Sequence, residues 1–167
     1  AFTAMATTLS GKITGANNLT LNAAGGTFTL SGANEHSGTT ISAGTVKAGI
    51  DSAVTIAAIT SGALGKTTAT VSSGAVLDLN GKSVLNALTI SGTGINSAGA
   101  LINSDTSTAA TVANTIALNA DSSIGGAGSF EVQGVISGSS KALTKVGNGT
   151  VTLSATNTYT AGTSISA

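Results

Sequence analysis

The chain lacks cysteine, proline, tryptophan and arginine, and it is poor in aromatic and charged residues. Of its 167 residues only 2% are aromatic and 7% are charged, and six lysines balance six acidic residues. Without cysteine there is no disulfide framework, no thiolate metal site and no thiol nucleophile. Because a globular domain normally carries about 25% charged residues, this chain has few side chains suited to acid, base or metal chemistry.

The charge balance also excludes two broad classes of protein. Disorder needs low hydrophobicity with high net charge, whereas this chain is 41% hydrophobic and has a formal net charge of zero. Nucleic-acid binding needs a basic surface that releases counterions from phosphates, and six scattered lysines do not form one. The chain opens on Ala1 without an initiator methionine or a signal-peptide pattern. We therefore expect it to be a fragment of a longer repeat protein.

Threonine, serine and glycine are abundant, with 28, 22 and 23 residues. Threonine or serine alternates with leucine, isoleucine or valine in short runs such as 27–31, 68–72 and 150–154. Alternation at period two in β-branched residues predicts half-buried strands. Glycine, asparagine and serine lie between the runs and favour turns. No window has a helical apolar stripe, so the chain is predicted to be all-β.

A tandem similarity links the two ends of the chain. Residues 26–43 match residues 149–167 at 11 of 18 positions once Ala161 is treated as an insertion. Residues 9–15 align with 132–138 at the same offset of 123. We predict one solenoid segment over 1–167, in which 1–43 and 124–167 are equivalent parts of a module of about 124 residues.

A parallel β-solenoid accounts for this composition. Each coil lies about 4.8 Å above the last, so aliphatic side chains stack into a narrow core that large aromatics would overfill. Proline would remove a donor from the strand ladders. At roughly 20 to 25 residues per coil we expect about seven coils. The competing architecture is an antiparallel sandwich, which the tandem similarity disfavours. The solenoid register predicts inward side chains at Leu30, Ile41, Val71, Leu79, Ile90, Ile116, Ile136 and Leu153.

The stretch from Gly149 to Ala167 resembles the autotransporter-associated β-strand repeat, which has a Leu-Thr-Leu-Ser-Gly strand, then Asn-Thr-Tyr and Gly-Gly-Thr-Thr-Ile, and closes on Ala-Gly-Thr. The first copy has this closing motif at 43–45, but it carries His36 where the motif has tyrosine, and it lacks one glycine of the Gly-Gly pair. The resemblance implies a right-handed parallel β-helix. It also implies an extracellular or cell-surface passenger of type V secretion, anchored by an outer-membrane barrel that lies outside these residues.

No catalytic, cofactor-binding or metal-binding residue is predicted. His36 is expected to pack outside a coil as a turn residue, and because Tyr159 aligns with it, His36→Tyr is expected to leave the fold intact. Asp78-x-Asn80-Gly81 has half of a calcium-loop pattern but lacks the later ligands, so a glycine-assisted turn is favoured. Two glycosylation sequons, at Asn18 and Asn148, are attributed to chance in a threonine-rich chain.

The expected function is structural rather than enzymatic: a stalk, adhesin or aggregation module whose folding helps draw the passenger outward. Two alternatives stay open, a self-assembling extracellular filament and, less favoured, an enzyme that acts on polysaccharides. The expected partners are adjacent coils of the same chain or neighbouring copies, through axial stacking, together with cell-surface or matrix ligands. No cofactor and no nucleic-acid partner is expected.

Overall fold

The structure, a computed structural model, describes residues 5–56 and 58–166, which form a stack of β-coils. One column of residues, each paired in parallel with the next, marks the successive coils. We call it the marking column, and it consists of Thr7, Phe28, Val46, Leu77, Leu101, Ile124, Lys145 and Ile165. The predicted parallel β-solenoid is therefore confirmed, with about eight coils, close to the seven expected from the sequence. An antiparallel sandwich is excluded by this register.

The described residues form short strands separated by turns. The strands are β1 (Ala6–Leu9), β2 (Leu19–Leu30), β3 (Thr39–Ala48), β4 (Ala53–Val54), β5 (Ile59–Ser61), β6 (Ala69–Val71), β7 (Ala75–Asp78), β8 (Ser83–Val84), β9 (Leu88–Gly92), β10 (Leu101–Asn103), β11 (Ala110–Val112), β12 (Ile116–Gly126), β13 (Phe130–Val132), β14 (Ile136–Ser137), β15 (Leu143–Val146), β16 (Val151–Leu153) and β17 (Thr163–Ile165). A single 3-10 turn spans Ile95–Ser97, and no α-helix occurs in the described part of the chain.

Two parallel sheets build the walls of the solenoid. The larger has eleven strands, β1, β2, β3, β6, β7, β9, β10, β12, β14, β15 and β17. It follows two sides of the coil, because the long strands β3 and β12 each pair with different strands along their two halves. The smaller sheet, in the order β16-β13-β11-β8, forms a separate side. Every pairing within these two sheets joins one coil to a neighbouring coil.

The core consists of aliphatic columns that run along the axis. In one of them Leu21, Ile41, Val71, Ile90 and Leu118 lie directly above one another. Of the eight positions predicted to point inward, all but Leu153 are fully buried. Leu153 is half-buried, since it lies on the outer strand of the smaller sheet and has a strand on one side only.

The third coil is interrupted by an antiparallel hairpin. Steps along the marking column are 18 to 24 residues long, except for the 31-residue step from Val46 to Leu77. The extra residues form β4 and β5, which pair antiparallel with each other. The chain rejoins the stack at Gly62, which makes an antiparallel bridge to Asn34 in the coil below. The sequence pattern gave no indication of this excursion.

The equivalence of 1–43 and 124–167 stays a prediction, and residues 1–4 and 167 of these ranges lie outside the described residues. The aligned leucines of the two copies are found in different sheets. Leu30 pairs with Leu9 in the larger sheet, whereas Leu153 pairs with Val132 in the smaller sheet. Similar sequences thus occupy different sides of the coil.

Candidate functional site

His36 lies inside the stack, and the expectation that its ring packs outside a coil is wrong. Its residue is only 2% exposed. The ring packs against the backbone of Gly65, which has a φ of +77° and no room for a side chain: a β-carbon there would lie 2.9 Å from the imidazole Nε2. The cover comes from the chain that returns from the excursion in the third coil, so residues far along the sequence bury this ring.

The hydrogen bonds of His36 define its protonation. Its Nε2 lies 2.9 Å from Oγ1 of Thr39, and the Thr39 hydroxyl donates to the carbonyl of Leu64 at 3.1 Å. Because a hydroxyl has one proton, Thr39 must accept from His36, and the imidazole carries its proton on Nε2. The buried Nδ1 has no partner among the described residues. Burial lowers the pKa of His36, so the ring is neutral at pH 7, and it donates to the threonine whose hydroxyl bonds to the next coil.

The carboxylate of Asp78 connects neighbouring coils through hydrogen bonds and an ion pair. One carboxylate oxygen accepts hydrogen bonds from the backbone N–H groups of Asn80 and Ser104, each at 3.0 Å. The other oxygen lies 3.4 Å from Nζ of Lys47 in the coil below. Asn80 and Gly81 both have positive φ, 50° and 71°. The structure therefore places the Asp78-x-Asn80-Gly81 pattern at a tight turn, with the carboxylate already occupied by donors of the protein.

Other carboxylates are held in the same way. The hydrogen bond from Lys12, 2.5 Å away, lowers the pKa of Glu35. Backbone N–H groups of Ser107 and Thr108 lower the pKa of Asp105. A hydrogen bond from Ser154 is the main cause that lowers the pKa of Glu131. Each of these groups is ionised at neutral pH and fixed by its donors, which is unlike a general acid, whose pKa is raised.

The remaining candidates lie apart from one another. Asp121 accepts a hydrogen bond from the backbone N–H of Ala142 at 2.9 Å. The first sequon asparagine, Asn18, accepts from the N–H of Gly38 at 3.0 Å, and Asn148 of the second sequon is exposed. Over residues 5–56 and 58–166, no three histidine, aspartate or glutamate side chains come close enough together to hold a metal ion.

Buried asparagines are the polar residues that the sequence analysis missed. Asn103 is fully buried. The two hydrogens of its amide nitrogen are shared among the carbonyls of Asp105, Thr108 and Ser129. Its oxygen accepts from the N–H groups of Gly81 at 2.9 Å and Asp105 at 3.2 Å. These bonds satisfy backbone groups at a corner where strands end. The signal in the sequence is weak, because it is only an asparagine at the end of a short Leu-Ile-Asn strand, and asparagine is also common in exposed turns.

One depression on the surface is open and is lined without reactive side chains. It has a volume of about 340 Å³ and lies between the turn at Ala98 and the turns at Ala127 and Gly147. Small side chains and backbone line it, and none of its lining residues is titratable. No reactive groups therefore converge in this depression.

The geometry defines a class of protein, a parallel β-solenoid whose polar interior groups connect coil to coil. Two segments of the chain match the family model of the passenger-associated-transport-repeat, residues 25–48 and 143–167. The first covers the end of β2 and all of β3, and the second covers β15, β16 and β17. The searches of curated proteins and of solved structures gave no match.

The family match confirms the resemblance seen in the sequence. The two segments, together 49 of the 167 residues, are similar to a repeat that occurs in autotransporter passengers, a class of secreted or cell-surface proteins. Among the described residues, no helix has the length and apolar character needed to cross a bilayer.

Proposed function

We propose that this segment is a structural, non-enzymatic part of a passenger anchored at the bacterial outer membrane, where it serves as a stalk with adhesive or aggregating sides. One observation carries the proposal: the marking column runs without a break from Thr7 to Ile165, through both matched repeats. At about 4.8 Å per coil, eight coils span on the order of 40 Å.

Axial hydrogen bonding suits a spacer that is pulled along its length. The strand β3 pairs with β2 in the coil below, and with β6 and β7 in the coil above. Each coil therefore contacts only its neighbours, as in other solenoids, whose stability is a sum of local terms. Such a stack can also fold coil by coil on an already folded neighbour, which supports a role for folding in drawing the passenger outward.

The sides of the stack suit adhesion or aggregation. Thr20, Thr40, Thr70 and Thr89 form an outward column along the larger sheet. These side chains are hydroxyl-bearing and uncharged, and the whole chain has a net charge of zero. Little long-range repulsion then opposes contact with another surface or with another copy.

The arrangement of the acidic groups supports a non-enzymatic role. A glycosidase needs two carboxyl groups facing each other across a sugar, one of them with a raised pKa. Asp78 is occupied by Lys47 and two backbone donors, and the pKa values of Glu35, Asp105 and Glu131 are lowered.

A deletion of one whole coil tests the stalk. Leu77 and Leu101 occupy the same column position in adjacent coils, so removing residues 78–101 preserves the register. We expect the shortened protein to fold, with a maximum dimension reduced by about 5 Å in small-angle scattering. A control that removes only 78–89 breaks the register and should fail to fold.

The functional readout uses bacteria that display the segment with a peptide tag at its far end. Cells with the intact segment should aggregate or attach to surfaces more than cells without it. Capture by tag-binding beads should fall when residues 78–101 are deleted. If neither attachment nor tag capture depends on the segment, both the adhesive and the stalk roles are wrong.

Axial contact with a further coil is a second proposal, favoured by the exposed face of the eighth coil. Ile165 is the last residue of the marking column, yet it is 79% exposed. It borders an apolar recess of about 130 Å³ shared with Leu143 and Leu153. We propose that another coil of the same chain or of a neighbouring copy covers this face. Ile165→Asp should reduce concentration-dependent association in sedimentation experiments, whereas Ser164→Asp should not. A strictly monomeric wild-type segment would exclude the neighbouring copy.

A further inference from the structure

The excursion loop, residues 53–61, interrupts an otherwise regular stack, and the structure describes its residues 53–56 and 58–61. It contains β4 and β5, which pair at only two positions, Ala53 with Ser61 and Val54 with Ile59. Val54 is 55% exposed and Ile56 is fully exposed. Other large apolar side chains this exposed in the described residues, Met5 and Ile165, lie in the first and last coils. An isolated two-stranded hairpin has little stability of its own, so this loop opens locally at low cost.

The amino-acid composition of the loop favours cleavage by one class of protease. The sequence from Ala53 to Ser61 is Ala-Val-Thr-Ile-Ala-Ala-Ile-Thr-Ser, with no basic, acidic or aromatic residue. The nearest lysines, Lys47 and Lys66, lie outside it. Trypsin-like and chymotrypsin-like proteases therefore find no residue for their specificity pocket in this segment. Small aliphatic residues fit the shallow pocket of elastase-like enzymes.

The chain before the loop is fastened to the coil above. The backbone N–H of Ser52 donates to the carbonyl of Ser83 at 2.9 Å. The Ser52 hydroxyl oxygen accepts from the N–H of Leu85 at 3.2 Å, and the carboxylate of Asp51 accepts from the N–H of Ser83 at 2.7 Å. These contacts do not depend on the loop being continuous.

The chain after the loop is fastened to the coil below. Gly62 and Asn34 exchange backbone hydrogen bonds of 3.1 and 3.2 Å. The amide of Asn34 donates to the carbonyl of Ala63 at 3.0 Å, and the hydroxyl of Thr39 donates to the carbonyl of Leu64 at 3.1 Å. Ala63 and Leu64 are themselves buried in the core. The segment before the loop is thus hydrogen-bonded to the coil above, and the segment after the loop to the coil below.

We infer that the excursion loop is a proteolytic processing site for serine proteases of elastase specificity, and that the cleaved protein stays assembled. Cleavage hydrolyses one peptide bond: water adds a hydroxyl group to the carbonyl carbon and a proton to the released amine. The two products remain joined by the pairings of β3 with β6 and β7. A cut stack would thus keep its length while gaining two new chain ends on its side. The inference is independent of the proposed stalk and adhesion roles.

Limited digestion of the intact 167-residue chain with pancreatic elastase, under native conditions, tests the inference. We expect the first cut to map by mass spectrometry to a bond between Ala53 and Ser61, at least tenfold faster than any other cut. A denaturing gel should show fragments of about one third and two thirds of the chain. The digested protein should nevertheless elute as one species, at the position of the uncut protein, in size-exclusion chromatography.

Matched triple variants separate the loop sequence from the added charge. V54D/I56D/A58D places carboxylates at three exposed positions of the loop and should slow the first cut at least tenfold. T93D/N96D/A98D adds the same charge in another exposed turn and should not change it, and circular dichroism checks the fold of both. A first cut outside 53–61, equal cutting of the two triple variants, or fragments that separate without denaturant would overturn the inference.

Discussion

Thr39 accepts a hydrogen bond from the imidazole of His36 at 2.9 Å, and 124 residues later the hydroxyl of Thr163 lies 2.5 Å from the hydroxyl of Tyr159. The contact between a ring and a threonine thus recurs in both copies of the similar sequence. Its surroundings differ, since His36 is buried under the returning third coil and Tyr159 is half-buried. The first contact is consequently sensitive to charge and volume in a way that the second is not.

Protonation of His36 should make the stability of the fold depend on pH. The pKa of His36 is lowered by burial from its ordinary 6.5, so the unfolded chain takes up a proton first as the pH falls. Its contribution is fully present above about pH 6.5 and is lost as the pH falls from there towards the lowered pKa. Urea unfolding between pH 7 and 5 should show a slope of up to about 1.4 kcal/mol per pH unit.

The control for this prediction is His36→Gln, whose amide can still donate to Thr39 but does not titrate. Its stability should be flat between pH 7 and 5, because the chain has no other histidine and the lowered pKa values of Glu35, Asp105 and Glu131 put their loss of stability at more acidic pH. Equal slopes for the wild type and the glutamine variant would assign the pH dependence to other groups.

His36→Tyr should destabilise the fold, contrary to the expectation from the alignment. A tyrosine ring is larger than imidazole, and Gly65 already packs against the ring in the first copy. Overpacking of this kind costs about 1–3 kcal/mol. The converse change, Tyr159→His, should cost less, because Tyr159 is half-buried. Thermal unfolding of the two variants measures the difference, and a neutral His36→Tyr would mean that the third coil can move away from the ring.

Asn34 and Asn157 are a matched pair, because the side chain of each is hydrogen-bonded to the backbone of the preceding coil. Each accepts a hydrogen bond from a backbone N–H 21 residues earlier, of Ile13 at 2.9 Å and of Ile136 at 2.8 Å. Asn34 is fully buried and also donates to Ala63. Asn34→Ala should therefore cost about 2–3 kcal/mol, since it leaves buried groups without partners, and Asn157→Ala about 1 kcal/mol. Denaturant titration ranks the two, and a larger cost at Asn157 would contradict this assignment.

The regular part of the fold could be predicted from the sequence because alternation at period two fixes which side chains point inward. Leu79 and Ile116 are buried for this reason. The burial of His36 could not be predicted, since it depends on Leu64 and Gly65, nearly 30 residues later, and its own neighbours are typical of an exposed turn. The excursion loop could not be predicted for a related reason. The apolar residues of 53–61 look like another coil strand, although the structure places Ala53, Val54, Ile56 and Ala58 on the surface.

The aliphatic column should be far more sensitive to truncation than the threonine column beside it. Ile90 and Thr89 are neighbours on β9, and Ile90 is fully buried between Val71 and Leu118. Ile90→Ala leaves a cavity in the core and should cost about 2–5 kcal/mol. Thr89→Ala removes an outward side chain and should cost less than about 1 kcal/mol. Equal costs in denaturant unfolding would contradict the register of β9.

Gly44, the glycine of the closing Ala-Gly-Thr motif, should tolerate no side chain. Its φ is +76°, and a β-carbon would lie only 1.9 Å from the carbonyl oxygen of Ala23 in the coil below. Gly74 is a matched control, because its φ of +80° is similar but nothing lies within 4 Å of its β-carbon position. Gly74→Ala should cost only the backbone strain of about 1–2 kcal/mol. Gly44→Ala must in addition push two coils apart, and it should unfold the second and third coils, as measured by the loss of amide protection in β2 and β3. If the two alanine variants were equally stable, close approach of the coils could not be the reason for glycine in the motif.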